Sequence, residues 1–190
     1  MPTGNLIMKL LKEKYIKEVL PALKEKLGYK NNLAVPRITK VVVNSGFNPS
    51  TGGDNIQETL AHDLSLMTGQ KPMPCQVKKP EAGFKTRKGM VNGLKVTLRG
   101  HRMYDFLNRL VHISLPRGRD FRGLPESTVD QLGNLNIGIK EHIIFPEILS
   151  EHVKKIFGFQ VTVVSTAKNR KEGEMLFRLL GFPIKLKEKK

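Results

Sequence analysis

From Leu94 to Arg99 apolar and polar positions alternate strictly, with Leu94, Val96 and Leu98 on one side and Lys95, Thr97 and Arg99 on the other. That is the period of a half-buried strand, its apolar face on a core and its cationic face outward. Upstream, Gln76-Val77-Lys78-Lys79 reads as the end of a partner strand, and a basic loop with one aromatic, 82–89, joins the two. Elsewhere the spacing is helical. Leu6, Leu10, Leu11, Tyr15, Val19, Leu23 and Leu27 line one face of a lysine-rich segment, and Gly28 stops it. Pro21 predicts a kink or a break there, because its ring clashes with the carbonyl four residues back.

Pro36 introduces a strand over Arg37–Asn44, where Val41-Val42-Val43 is apolar on both faces and therefore central. Asp54 with Gln57 resembles a capping box opening a helix with Ile56, Leu60, Leu64 and Met67 inward, closed by Gly69. After Gly100 a helix buries Met103, Phe106, Leu107 and Leu110 and is expected to end before Pro116. Leu135, Ile137 and Ile139 alternate with polar or small residues, and Phe159, Val161 and Val163 give a last strand. Asn169 with Glu172 starts a helix whose predicted stripe is Met175, Leu176, Leu179 and Leu180. Hairpins outnumber crossovers, which gives an α+β fold. One domain is expected over 1–190, with a largely antiparallel sheet, helices on one face and the other face open. An N-terminal helical extension (1–30) precedes it and a basic tail (184–190) follows.

Charge sharpens this picture. The chain has 33 Lys and Arg against 17 Asp and Glu, a formal charge of +16. Lys71–Arg102 holds nine of those cations and one acid, Glu81. Such a one-signed segment suits a polyanion, because ordinary solvated surfaces mix both signs. No apolar run is long enough to span a bilayer, and the N-terminus lacks the pattern of a secretory signal. Cys75 is the single cysteine, so neither an internal disulfide nor a cysteine metal cluster is expected, and a cytosolic protein is. The one metal-like grouping, Glu141, His142, Glu147, Glu151 and His152, is interrupted by Pro146 and lacks a ligand spacing. Gly52-Gly53-Asp54 lacks the Lys-Ser/Thr of a phosphate-binding loop. No metal, no cofactor and no catalytic constellation is predicted. An RNA-modifying enzyme would need a nucleophile or an acid–base pair near the basic hairpin, and none is evident; a free-standing RNA chaperone is the other alternative.

A set of collinear segments carries a family resemblance. They include Pro36-Arg37-Ile38, Thr68-Gly69-Gln70-Lys71-Pro72, Ala82-Gly83-Phe84-Lys85 and Lys95-Val96-Thr97-Leu98-Arg99-Gly100. Further along come Arg119-Asp120-Phe121-Arg122-Gly123-Leu124, Gly133-Asn134, Gly138-Ile139-Lys140-Glu141 and Ile144-Phe145-Pro146-Glu147. Together they resemble the bacterial-type large-subunit ribosomal protein five family, over roughly Leu11 to Pro183. The resemblance implies a non-enzymatic constituent of the cytoplasmic ribosome. Such a protein binds 5S rRNA and seats it in the central protuberance beside the large-subunit rRNA and other 5S-associated proteins. It implies a 5S-binding sheet face at Asn44, Gln70, Lys71, Lys95, Thr97 and Arg99. A hairpin loop at Lys78, Lys79, Phe84, Lys85, Arg87 and Lys88 would face the peptidyl-site tRNA. Arg117, Arg119, Arg122, Gly133 and Asn134 would form an intersubunit bridge to small-subunit protein thirteen.

Chemically, the Lys and Arg residues would displace condensed counterions from phosphates. Asn44, Gln70 and Thr97 offer short hydrogen-bonding groups for ribose hydroxyls and base edges. Taken alone, Asn44 is as good a turn former and Gln70 as good a helix end; Phe84 either stacks on a base or tucks onto the hairpin.

Overall fold

Strand β1 (Ile38–Gly46) pairs on both sides, with β3 (Val91–Leu98) and β5 (Phe159–Ser165), as its run of valines requires. The computed structural model describes residues 11–48, 55–84, 86–119, 121–148, 153 and 155–185. Short strands β2 (Met73–Gln76) and β4 (Leu135–Ile139) complete a five-stranded antiparallel sheet in the order β2-β3-β1-β5-β4. The partner of β3 thus lies three residues earlier than the sequence suggests. Val77 still bonds across the hairpin, its N–H donating to Met90 and its carbonyl accepting from Gly89, while Lys78 and Lys79 belong to the turn. Pro74 is tolerated in β2 because that strand is an edge.

Among the described residues, four long helical segments pack on the apolar side of the sheet. Helix α1 (11–27) buries Leu11, Tyr15, Val19 and Leu23; the predicted Leu6 and Leu10 lie outside the described residues. This N-terminal segment is tied to the body, since Tyr15 donates to the Pro36 carbonyl at 3.1 Å and Lys14 to that of Leu180 at 3.1 Å. As Pro21 leads one to expect, the α-helical ladder is interrupted, running over Leu11–Lys14 and again over Leu20–Leu27 with Pro21 in the first turn of the second segment. The preceding turn, Tyr15–Val19, widens to π-helix, with Leu20 N–H donating to the Tyr15 carbonyl. The wider turn supplies the room that the proline ring takes from the backbone ladder. The same solution recurs in helix α3 (100–117), where Leu110–Ser114 is π-helical and the helix continues through Pro116 to Arg117. The expected end before Pro116 is therefore corrected: proline is accepted in the first turn of the new α-helical segment.

Helix α2 (Ile56–Thr68) buries Leu60, Leu64 and Met67, each burial contributing about 1.5–3 kcal/mol. Gly69, at φ 67°, ends it; Asp54 of the expected capping box lies outside the described residues. Helix α4 (Arg170–Leu180) begins as expected, Asn169 Oδ1 accepting from Glu172 N–H at 3.0 Å. Its buried stripe is Leu176, Phe177 and Leu180, whereas Met175 and Leu179 are only half-buried. Phe177 packs edge-on against Phe182, which draws the stripe one position round the helix. At the C-terminal end Leu124 N–H donates to Pro183 and Lys185 N–H to Leu124, so Ile184 and Lys185 are pinned, and 186–190 lie outside the described residues.

Candidate nucleic-acid interface

The face of the sheet turned away from the helices is ordered by register. Met73, Lys95, Asn44, Gln160 and Gly138 stand in one line across all five strands, every one exposed. Two residues along lies a second line, Thr97, Val42, Thr162 and Asn136, all half-buried. The inward neighbours Val41, Val43, Leu94, Val96, Leu98, Val161 and Val163 are fully packed, which fixes the outward direction of the polar set. The twisted surface is shallowly concave, lined by Lys40, Asn44, Lys95, Gln160 and Thr162 over a floor that includes Gly46 and Gly93.

Of the six residues expected on this face, register sets Asn44, Lys95 and Thr97 together, while Gln70 and Lys71 line a shallow depression with Ala61, His62 and Ser65 of α2. Asn44 and Lys95 are register partners, and Thr97 is next outward on β3. Arg99 is exposed at the point where β3 passes into α3. That turn needs Gly100, at φ 61°, because a side chain there would be strained. Gln70 is attached from the side: its Nε2 donates to the Thr97 carbonyl at 3.3 Å, capping β3 where β2 has already ended. Its side-chain oxygen stays available, and Lys71 beside it is exposed. Lys40, Lys71, Lys95 and Arg99 have no acidic partner among the described residues, and no described strand residue on this face is acidic.

In the hairpin loop Lys78, Lys79, Arg87 and Lys88 are exposed. The loop is closed by Thr86, which donates its N–H to the Glu81 carbonyl at 3.2 Å and accepts from Glu81 N–H at 3.1 Å. Phe84 contributes backbone to the turn Ala82–Phe84, and Lys85 lies outside the described residues. A further exposed set is Arg117 at the end of α3 with Arg119 and Arg122 after it.

Gly133 and Asn134 are arranged differently from those arginines. Gly133 is buried and Asn134 half-buried, with the backbone N–H and Nδ2 of Asn134 both donating to Asp130, at 2.7 and 2.9 Å. Asn134 Oδ1 accepts from Ser165 N–H and the Gly133 carbonyl from Ser165 Oγ. These two residues shape the loop, and Gln131 and Leu132 are what it exposes. Sequence reasoning missed Lys40, Gln160, Thr162 and Asn136. The signal was present, since Gln160 and Thr162 alternate with Phe159, Val161 and Val163 as Lys95 and Thr97 do with Leu94, Val96 and Leu98.

Two family models match this chain, that of ribosomal protein L5 over residues 31–87 and that of the C-terminus of the same ribosomal family over 91–184. A relative from Dictyoglomus turgidum named "Large ribosomal subunit protein uL5" is 48% identical over 94% of this chain and 99% of its own length. Relatives of the same name from Kosmotoga olearia and Streptococcus thermophilus are 49% and 47% identical, over 92% and 91% of this chain and 96% of their own. The chain belongs to the ribosomal protein L5 family. It is a structural, non-enzymatic protein of the translation apparatus.

Some family segments prove to be architecture. In Ile144-Phe145-Pro146-Glu147, Phe145 is fully buried and stacks on Phe106 at 5.6 Å, and Glu147 pairs with Arg109. Arg109 also donates to the Met67 carbonyl at 3.0 Å, joining α2, α3 and this loop. His142 is buried and stacked on Phe157 at 4.0 Å. Its Nδ1 accepts from Phe157 N–H, while Nε2 lies 3.4 Å from Asp63 Oδ2 without hydrogen-bonding alignment. Burial pushes its pKa below the ordinary 6.5, outweighing the opposite pull of Asp63. Glu151 and His152 lie outside the described residues, and no metal-ligand group of three is found among those described.

Proposed function

We propose that this chain binds 5S rRNA through the outer face of its sheet and helps seat it in the central protuberance of the large subunit of cytoplasmic ribosomes. The supporting observation is that outer face. It brings Lys95, Asn44 and Gln160 into one cross-strand line beside Thr97 and Arg99, with no described strand acid among them. Lysine and arginine supply salt-dependent affinity for phosphates. Amides and hydroxyls between them reach ribose and unstacked bases, which is how folded RNA is told from a generic polyanion. A rigid sheet holds these groups at fixed spacing, so less side-chain ordering is needed on binding.

In the same reading, Lys78, Lys79, Phe84, Lys85, Arg87 and Lys88 meet the peptidyl-site tRNA. The arginines at 117, 119 and 122, with the loop shaped by Gly133 and Asn134, face small-subunit protein thirteen as an intersubunit bridge. Large-subunit rRNA and the other 5S-associated proteins complete the surroundings. The decisive measurement is filter binding to a bacterial 5S rRNA transcript at fixed salt. Thr97→Ala combined with Arg99→Ala weakens binding more than removal of residues 186–190. A larger loss from the tail truncation would refute the sheet-face assignment.

A further inference from the structure

The outer face has two chemically different halves. On the β3 side stand Lys95 and Arg99; among the described residues, strands β5 and β4 themselves turn Gln160, Thr162, Val164, Asn136 and Gly138 outward, all uncharged, and the first cation beyond them is Lys140 after the end of β4. Within that neutral half the Thr162 hydroxyl donates to Asn136 Oδ1 at 2.8 Å, across directly paired strands. The bond fixes the amide. With Oδ1 occupied by Thr162, Asn136 Nδ2 is left as a donor, and the oxygen of Thr162 keeps lone pairs to accept. Neither Asn136 Nδ2 nor the Gln160 amide has a hydrogen-bond partner among the described residues. Gly138, beside Gln160, has open space where a side chain would stand.

We infer that Thr162, Asn136 and Gln160 form a charge-free reading patch that accepts and donates hydrogen bonds to ribose 2′-hydroxyls of the bound RNA. The cations of the β2–β3 half hold its phosphates. A 2′-hydroxyl both donates and accepts, which matches an amide donor set beside a hydroxyl acceptor and makes this half the part of the face that distinguishes RNA from DNA. The occupant is RNA rather than a protein strand because the patch is continuous with Lys95 through Asn44 in one cross-strand line. The inference rests on the 5S-binding reading of this face and divides the labour within it.

The two halves respond differently to salt. Each lost phosphate contact makes the slope of log affinity against log salt shallower by about 0.7–0.9, whereas a lost neutral hydrogen bond leaves it unchanged. Binding of a bacterial 5S rRNA transcript is measured across a potassium chloride series. Lys95→Ala reduces the slope. Thr162→Val keeps the slope but lowers affinity about five- to tenfold at every salt concentration, the size of one or two neutral hydrogen bonds. Thr162→Ser, which retains the hydroxyl, stays near the parent protein. Gln160→Ala, at an exposed position where folding is not at stake, behaves like Thr162→Val. With transcripts carrying scattered 2′-deoxy substitutions, at least one position that weakens the parent protein ceases to matter for Thr162→Val. Parent-level affinity of both Thr162→Val and Gln160→Ala, or an unchanged 2′-deoxy interference map, overturns the inference while leaving 5S binding intact. A parent protein that does not prefer 5S rRNA to a tRNA of equal concentration overturns the function proposed above, and this inference with it.

Discussion

The backbone of Gly133 rests directly on Gly173: a Cβ added to Gly173 would stand 2.6 Å from both the Cα and the carbonyl oxygen of Gly133. Helix α4 is thereby seated on the loop before β4, and Gly133 itself sits at φ 78°. Alanine is ordinarily the better helix former, by about 1 kcal/mol. Here the overlap is with backbone, which cannot swing aside. Gly173→Ala is expected to lower stability by about 1–3 kcal/mol in urea unfolding. A gain in stability would show that the two segments are not in contact.

Arg109 gives a second stability test. Its guanidinium bonds Glu147 and the Met67 carbonyl at once, and both charged side chains keep partial access to water, 29% and 25%. Glu147→Gln is expected to cost about 1–3 kcal/mol, less than breaking a fully buried pair. Urea midpoints at matched salt measure it, and an unchanged midpoint would deny the pair a role in holding the 144–147 segment.

His142 makes stability pH-dependent in a defined direction. Burial of the ring disfavours its charged form, so its folded pKa lies below the ordinary 6.5. Below pH 6.5 the unfolded chain therefore binds more protons than the folded one, and stability falls as pH falls through that range. His142→Gln should flatten the fall in Tm between about pH 7 and pH 5. Equal pH dependence in both proteins would assign the fall to other groups.

The hairpin cations are separable from the sheet. Arg87→Glu with Lys88→Glu is expected to leave affinity for isolated 5S rRNA within about twofold at physiological salt, where exposed charges beyond a Debye length are screened. The same variant should speed dissociation of peptidyl-site tRNA from assembled ribosomes. Loss of 5S binding would instead make the hairpin part of the 5S interface.

Legibility followed periodicity. Strands β1, β3, β4 and β5 and the inward faces of α2 and α3 could be read because alternation or 3.6-residue spacing is direct evidence of a buried side. Pro116 misled, because a sequence shows the missing N–H but not the π-helical turn that absorbs it. The bonds by which Gly133 and Asn134 hold Ser165 span about thirty residues of chain and are invisible in a string. Gln160 and Thr162 were overlooked for a simpler reason: carrying no charge, they stand out only once register sets them beside Asn44 and Asn136.

The central position of β1 has a consequence for synthesis. Val41 finds one neighbour in Leu98 and the other in Val163, so both partners are made long after it. A growing chain can assemble its helices early, but loop-closure entropy delays the non-local strand pairings. Until β5 has left the exit tunnel of the ribosome that makes it, β1 lacks one neighbour, so a nascent copy cut short there presents an open strand edge to other chains.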